Sequence, residues 1–194
     1  MEHYFSDTPT APSEEQEVVL QVLGETLRCT TDRAVFSGKG LDEGTRILLE
    51  TAQVERGAHV LDLGAGWGAV AVALGVHYGC TAVCVERNER AAALCARNLE
   101  RNRVQGKVLV GDGLAPVAAQ DFDLVLLNPP IRAGKAAYYP WLAGARAHLR
   151  PGGALWVVVR TSQGAKSLRR ELEAHYDEVR DAAIEHGYRV YCAR

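Results

Sequence analysis

The stretch His59-Val60-Leu61-Asp62-Leu63-Gly64-Ala65-Gly66-Trp67-Gly68 decides how the rest of the chain is read. Its first five residues are a strand-sized, partly β-branched apolar run, and its last five a glycine-rich turn. The residues that follow continue at helical length to about 78. A strand that breaks into glycines and restarts as a helix suits a nucleotide or another anionic ligand. Small residues let the ligand approach the backbone, and the helix start offers unpaired N–H groups. Gly64, Gly66 and Ala69 also satisfy the G-x-G-x-x-A spacing of dinucleotide-binding turns, so the turn alone leaves the ligand open.

Outward from this turn the pattern repeats. Strand-like runs fall at about 81–86, 107–110, 122–127 and 153–160, and helical stretches at about 88–102, 135–149 and 162–174. Alternating strand and helix implies right-handed crossovers and a parallel sheet covered on both faces. Glu178–Glu185 and Tyr188–Cys192 flank His186-Gly187, the pattern of a hairpin that brings in an antiparallel strand. The expected fold is α/β: a doubly wound, seven-stranded, mostly parallel, Rossmann-like sheet with a terminal antiparallel hairpin and a short N-terminal helix and hairpin extension.

In that extension, residues 1–12 read as a loosely packed arm. Ser13-Glu14-Glu15-Gln16-Glu17 reads as a capping box that opens a helix with Val18, Val19, Val22 and Leu23 on one side, ended by Gly24. Thr26–Thr30 and Arg33–Ser37 are expected to pair around Thr31-Asp32, and Asp42 to start a helix running through Val54 that Gly57 stops. The division is 1–56 for the extension and 57–194 for the ligand-binding domain, packed as one globular unit.

With 47% apolar and 24% charged residues among 194, the chain has the balance of a soluble globular protein. No apolar run approaches the roughly 18 residues of a membrane span, and Met1-Glu2-His3-Tyr4-Phe5 lacks the basic start and apolar core of a signal peptide. A cytoplasmic location without a membrane partner is the expectation. Cys29, Cys80, Cys84, Cys95 and Cys192 are scattered, with no histidine at ligand spacing, which points to buried reduced thiols and no metal. Residues 1–60 carry 11 acidic and 5 basic side chains, residues 61–194 carry 13 and 17. That is not the strongly basic footprint of a tight nucleic-acid binder, so any RNA contact must come from a local patch. Arg90, Arg97 and Arg101 lie near one face of a helix, with Arg103 and Lys107 just beyond; a solvated face and a phosphate-binding face both fit.

Four strand ends carry polar side chains that would share one edge of such a sheet. Asp62 can accept from a cationic amine and would repel a pyrophosphate. Glu86, 22 residues after Gly64, is placed to hold two ribose hydroxyls. Asp112, before Gly113, can accept from an adenine amino group. Each has a plainer use as a turn cap, a helix cap or a turn residue. In register on the edge where open α/β sheets bind ligands, they read together as a site. The fourth end is Asn128-Pro129-Pro130-Ile131. Each proline fixes φ at about −65° and lacks an N–H. The Asn128 amide oxygen and a neighbouring backbone carbonyl can then both accept from one planar –NH2 group, and Asn128→Asp would keep an acceptor there.

Together with Val35-Phe36-Ser37, Leu41-Asp42-Glu43-Gly44-Thr45 and Arg132, these motifs resemble those of the class I S-adenosylmethionine-dependent methyltransferases. Within them the chain is most similar to the methyltransferase small family, whose best-known members modify guanine N2 in small-subunit ribosomal RNA. The resemblance covers residues 25–194 or so. It implies S-adenosylmethionine as cofactor, at Asp62, Gly64, Ala65, Gly66, Glu86, Asp112, Gly113 and Asn128. It implies catalysis at Asn128, Pro129, Pro130 and Ile131, with Phe36, Arg132 and Lys135 towards the substrate. The implied substrate is RNA, foremost ribosomal RNA, in a single-stranded or loop region, because a paired base must leave its stack. The sequence departs from the family's ribosomal RNA enzymes in two ways. An aromatic residue usually follows the prolines there, whereas Ile131 can cover a ring but has no π face. The chain is also expected to stand without the extra amino-terminal domain that the ribosomal enzyme of this type carries.

A protein glutamine side chain offers the same planar amine and is the nearest alternative substrate. A dinucleotide-binding oxidoreductase fits less well, since no Tyr-x-x-x-Lys pair follows the fourth strand and Asp62 carries the wrong charge for a pyrophosphate. A module that keeps the pocket without turnover is the third alternative. Oligomeric state is not legible in the sequence.

Overall fold

The computed structural model describes residues 12–33, 35, 37, 40–118 and 121–194. Strands β1 (Glu15–Val22) and β2 (Glu25–Asp32) form an antiparallel hairpin. Leu23 and Gly24 make its two-residue turn, with φ of 54° and 76°. Two successive positive φ values match the right-handed twist of the flanking strands.

This overturns two expectations. The segment after Ser13 is a strand and not a helix, and residues 26–32 belong to one continuous strand whose partner lies before it, not after it. Leu20 and Val22 are buried while Val19 is 52% exposed, so the alternation has period two. A short valine-rich run satisfies a helical stripe as easily, and the presence of β2 decides between them. Gly24 is a hairpin turn residue and not a helix stop. The arm at 1–11 and two residues of the Arg33–Ser37 segment lie outside the described residues.

Helix α1 (Glu43–Thr51) starts where the sequence places it, capped by the Asp42 side chain accepting from the Thr45 N–H at 2.9 Å. It ends at Thr51, short of Val54. The repeating part then follows as β3 (His59–Leu63), α2 (Ala69–Tyr78), β4 (Thr81–Glu86), α3 (Glu89–Arg101), β5 (Gly106–Val110), β6 (Phe122–Leu127), α4 (Lys135–Ala145), β7 (Leu149–Arg160), α5 (Ala165–Glu173), β8 (Val179–Glu185) and β9 (Tyr188–Ala193).

The seven strands from β3 onward lie in the order β5-β4-β3-β6-β7-β9-β8. Strands β3 to β7 run parallel, and β9 is antiparallel to both β7 and β8. The chain enters at β3, builds outward to β5, then returns to β6 beside β3 and builds the other way. The carboxyl ends of β3 and β6 therefore flank the point where the strand order reverses, the usual ligand crevice of such sheets.

Alternate strand residues feed two cores. Val60, Leu124, Leu126, Trp156 and Val158 pack beneath α1, α2, α3 and the hairpin. Leu61, Leu63, Val125, Leu127 and Val157 pack beneath α4 and α5. Helix α2 is apolar on every side, with Ala69 through Leu74 all buried, because the sheet covers one flank and β2 another. Among the described residues, no helix is long and apolar enough to cross a membrane, and no cluster of histidine, cysteine and carboxylate could hold a metal.

The arginines of α3 have a use the sequence did not show. Arg97 pairs with Glu15 at 2.5 Å, Arg101 with Glu17, and Arg90 lies 3.7 Å from the buried Asp32. This face is clamped to the hairpin by charge. Asn98 is the buried centre of the clamp. Its Oδ1 accepts from the Thr30 N–H at 2.7 Å, and its Nδ2 donates to the Thr30 and Trp67 carbonyls at 2.8 Å each. One side chain thus ties the hairpin, α3 and the glycine turn together.

Candidate active site

The glycine turn is held by its neighbouring strand. The Gly64 and Ala65 N–H groups donate to the Val85 carbonyl at 2.9 and 3.0 Å. The Gly66 N–H donates to Glu86 Oε2 at 2.9 Å, and the Asn88 N–H to Glu86 Oε1 at 2.8 Å. Gly64, Gly66 and Gly68 have φ of 70°, 56° and 90°, a region that side chains disfavour. A Cβ at Gly66 would meet nothing within 4 Å, so the space above it is free for a ligand. At Gly68 it would sit 2.7 Å from Cys95 Sγ, so that glycine serves close packing on α3.

Two adjoining hollows open along the carboxyl edge and share Gly64, Gly66 and Asn128. The larger, of about 810 Å³, lies between Glu86, Asp112-Gly113, Trp141 and Asn128-Pro129-Pro130. The smaller, of about 460 Å³, is lined by Asp42, Thr45, Asp62, Ala65 and Trp67 among others. The structure thus gathers Asp62, Glu86, Asp112 and Asn128 on one edge, the first in the smaller hollow and the next two in the larger. Asp62 is 3% exposed, and its Oδ2 has no hydrogen-bond partner. Burial pushes its carboxyl up to about 7, opposed by a hydrogen bond from the Ala71 backbone and reinforced by the charge of Glu86. Burial also raises the Glu86 carboxyl, against the pull of backbone N–H groups of Asn88, Gly66 and Arg87.

At Asn128 the amide is locked. Nδ2 donates to Asp42 Oδ2 at 2.7 Å and to Thr45 Oγ1 at 2.9 Å, and that hydroxyl donates in turn to the same Asp42 oxygen at 2.9 Å. A carboxylate accepts and does not donate, so only the –NH2 end of the amide can face Asp42. Both amide hydrogens are consumed, and Oδ1 is the atom presented to the hollows. The backbone then bends sharply. Pro130 has φ −73° and ψ 71°, and the Ile131 N–H donates to the Pro129 carbonyl at 2.8 Å, an inverse γ-turn. That carbonyl keeps its second lone pair.

Ile131 is half-buried against the core beneath α4 and lines neither hollow. Arg132 and Lys135 are exposed just beyond it, and Phe36 lies outside the described residues. Three contributions to the site were not readable from the local sequence. Asp42 and Thr45 reach Asn128 across more than 80 residues. Trp141 forms a wall of the larger hollow; a Cβ at Gly113 would sit 2.1 Å from its Nε1, so this glycine is what lets the indole in. The helix-start pattern and the family resemblance both marked Leu41-Asp42-Glu43-Gly44-Thr45, but neither gave its contact with Asn128.

A partnerless buried carboxylate oxygen, an open glycine and a hollow walled by an indole suit a ligand that joins an ammonium to a purine nucleoside. This fold and edge define a class I S-adenosylmethionine-dependent methyltransferase. Residues 26–192 match the family described as methyltransferase small domain, and the chain belongs to that family. It is 34% identical to the uncharacterized protein YbxB of Bacillus subtilis (strain 168), over all of this chain and 98% of that one. It is 33% identical to ribosomal RNA small subunit methyltransferase C of Pseudoalteromonas translucida, over 81% of this chain and 46% of that one. The T. thermophilus 16S rRNA N2 G1207 methyltransferase, solved with AdoMet and guanosine, superposes with a TM-score of 0.85 at 27% identity, over 96% of this chain and 52% of that one. The chain thus spans about half the length of these ribosomal RNA enzymes. It is an enzyme of S-adenosylmethionine-dependent methyl transfer, and the dinucleotide oxidoreductase alternative falls away with the family assignment.

Proposed function

We propose that the protein methylates the exocyclic N2 amine of a guanine in ribosomal RNA. The observation that carries the reading is the locked amide of Asn128, which leaves Oδ1 as a fixed acceptor at the junction of the two hollows. The names of the relatives support the substrate, since they act on small- and large-subunit ribosomal RNA, and one was solved with guanosine.

S-adenosylmethionine supplies an electrophilic methyl group, so the chain needs no acid or metal of its own. Asp62 Oδ2 accepts from the α-ammonium of the cofactor, Glu86 from its ribose hydroxyls and Asp112 from its adenine amino group. Trp141 and the apolar wall around it cover the purine. Asn128 Oδ1 and the free lone pair of the Pro129 carbonyl accept the two hydrogens of the target amine. They turn its lone pair toward the methyl carbon and stabilise the positive charge that grows on the nitrogen. The sulfur–methyl bond would break as the nitrogen–methyl bond forms, S-adenosylhomocysteine would leave, and the proton shed by the nitrogen would pass to water. A base reaches these acceptors only out of its stack, which favours loops or single strands.

The test incubates the protein with methyl-labelled S-adenosylmethionine and total RNA plus protein extract, then digests separately with nuclease and protease. Label released by nuclease, and recovered as N2-methylguanosine, is the expected result. Label released by protease points to the glutamine substrate and overturns this reading.

A further inference from the structure

Many of the arginines are paired. Arg28, Arg33, Arg46, Arg97, Arg101, Arg146, Arg169 and Arg189 all bind carboxylates. Four exposed cations around the acceptor side of the site are not. Arg132 and Lys135 flank the turn into α4, Arg160 ends β7 and Lys166 lies in the first turn of α5. None of them pairs with a carboxylate among the described residues.

The four form one rim. The Lys135 Cε lies 4.0 Å from where a Cβ at Gly164, the cap of α5, would stand, which joins the starts of α4 and α5. The Arg160 guanidinium sits over the Tyr188 ring at 4.7 Å. The same ring abuts Gly44, beside the Asp42 that holds Asn128. Lys135 lies 5.9 Å from the Tyr139 ring centre. Two of the cations are thus steadied by aromatic faces, which leave their charge available. The nearby carboxylates Glu43 and Glu185 are turned to His186, at 2.8 and 3.8 Å. Gly134 and Gly164 start α4 and α5 without a side-chain cap, so backbone N–H groups add to the positive field.

We propose that this rim is the track for the phosphate backbone of a single-stranded RNA substrate whose target base enters at Asn128. The inference rests on the methylation reading above and adds the surface, which runs over α4 and α5 and excludes α3. The α3 arginines are spent on the hairpin carboxylates, so a strand laid there would compete with built-in partners.

The experiment measures binding of a short single-stranded RNA by fluorescence anisotropy over a series of KCl concentrations. The variants are Arg160→Gln with Lys166→Gln, and, at the opposite edge of the sheet, Arg103→Gln in the turn before β5 with Lys107→Gln on it. The rim variant should bind more weakly, and its slope of log affinity against log salt should fall by about 1.4, at roughly 0.7 per lost phosphate contact. The opposite-edge variant should keep the wild-type slope. Calorimetry with S-adenosylmethionine should give wild-type affinity in both. If the double rim variant loses cofactor binding through misfolding, Arg160→Gln alone is read the same way, with a fall of about 0.7. An unchanged slope in the rim variant, or an equal fall in the opposite-edge variant, overturns the track. A rim-dependent slope in a protein that transfers no label to RNA supports the track and overturns base methylation instead.

Discussion

At Asn128 the chemistry rests on an amide whose orientation is not free. From the sequence, an aspartate there would retain an acceptor oxygen and so some activity. The structure reverses that expectation: Asp42 Oδ2 lies 2.7 Å from Asn128 Nδ2, so Asn128→Asp would set one carboxylate against another. Asn128→Ala should lower turnover about a hundredfold with little change in cofactor affinity, on the scale of one lost preorganised acceptor. Asn128→Asp should do no better, and a clear recovery of activity in it would sink the lock. Thr45→Val keeps the shape and removes the hydroxyl that receives Nδ2. It should cost roughly tenfold in kcat and leave KM and cofactor affinity near wild type, because only the aim of Oδ1 is disturbed. Steady-state kinetics on the methylated RNA checks all three. The acceptor itself was legible because Asn-Pro-Pro after an apolar strand is a local pattern. Its lock was not, because it comes from a helix cap that meets it only once the chain is folded.

Among the elements, the repeating strands and helices were readable because each is bounded by its own glycine, aspartate or proline. The hairpin was not. Its eight-residue strands fit a helical stripe, and the acidic residues that imitate a capping box are there to meet Arg97 and Arg101. Those ion pairs are exposed and contribute little. Asn98 is different, being fully buried with three hydrogen bonds to the backbone of two other segments. Asn98→Ala should cost about 3 kcal/mol, since it strands buried donors and acceptors. For a chain of this length that lowers the melting temperature by about 6–12 °C. The same variant should weaken cofactor binding, because the Trp67 carbonyl loses its anchor. Arg97→Ala and Arg101→Ala should shift the melting curve far less; scanning calorimetry on the three variants decides the ranking.

The whole molecule carries a charge it would rather not hold. Asp62 is raised from 3.8 to about 7 by burial. The folded chain therefore binds a proton there that the unfolded chain releases, and the stability this gives is complete below about 3.8 and lost as the pH rises through about 7. Without cofactor, the melting temperature should fall across that window, and Asp62→Asn should abolish this part of the fall. With cofactor the sign inverts, because the ammonium needs the ionised carboxylate. Affinity by calorimetry should rise as the pH passes about 7 in the wild type and stay flat in Asp62→Asn, which should bind about tenfold more weakly. A flat profile in the wild type would remove Asp62 from the cofactor site.

The reversed strand has its own consequence for how the sheet opens. Strand β8 takes its sheet hydrogen bonds from β9 alone, while β9 is bonded on both sides, to β7 and to β8. A fluctuation that breaks both ladders of β9 frees β8 as well, but β8 can fray by itself. In amide hydrogen exchange followed by mass spectrometry, residues 179–185 can be no slower than 188–193, and the ranking should survive any change of temperature or denaturant that leaves the fold intact.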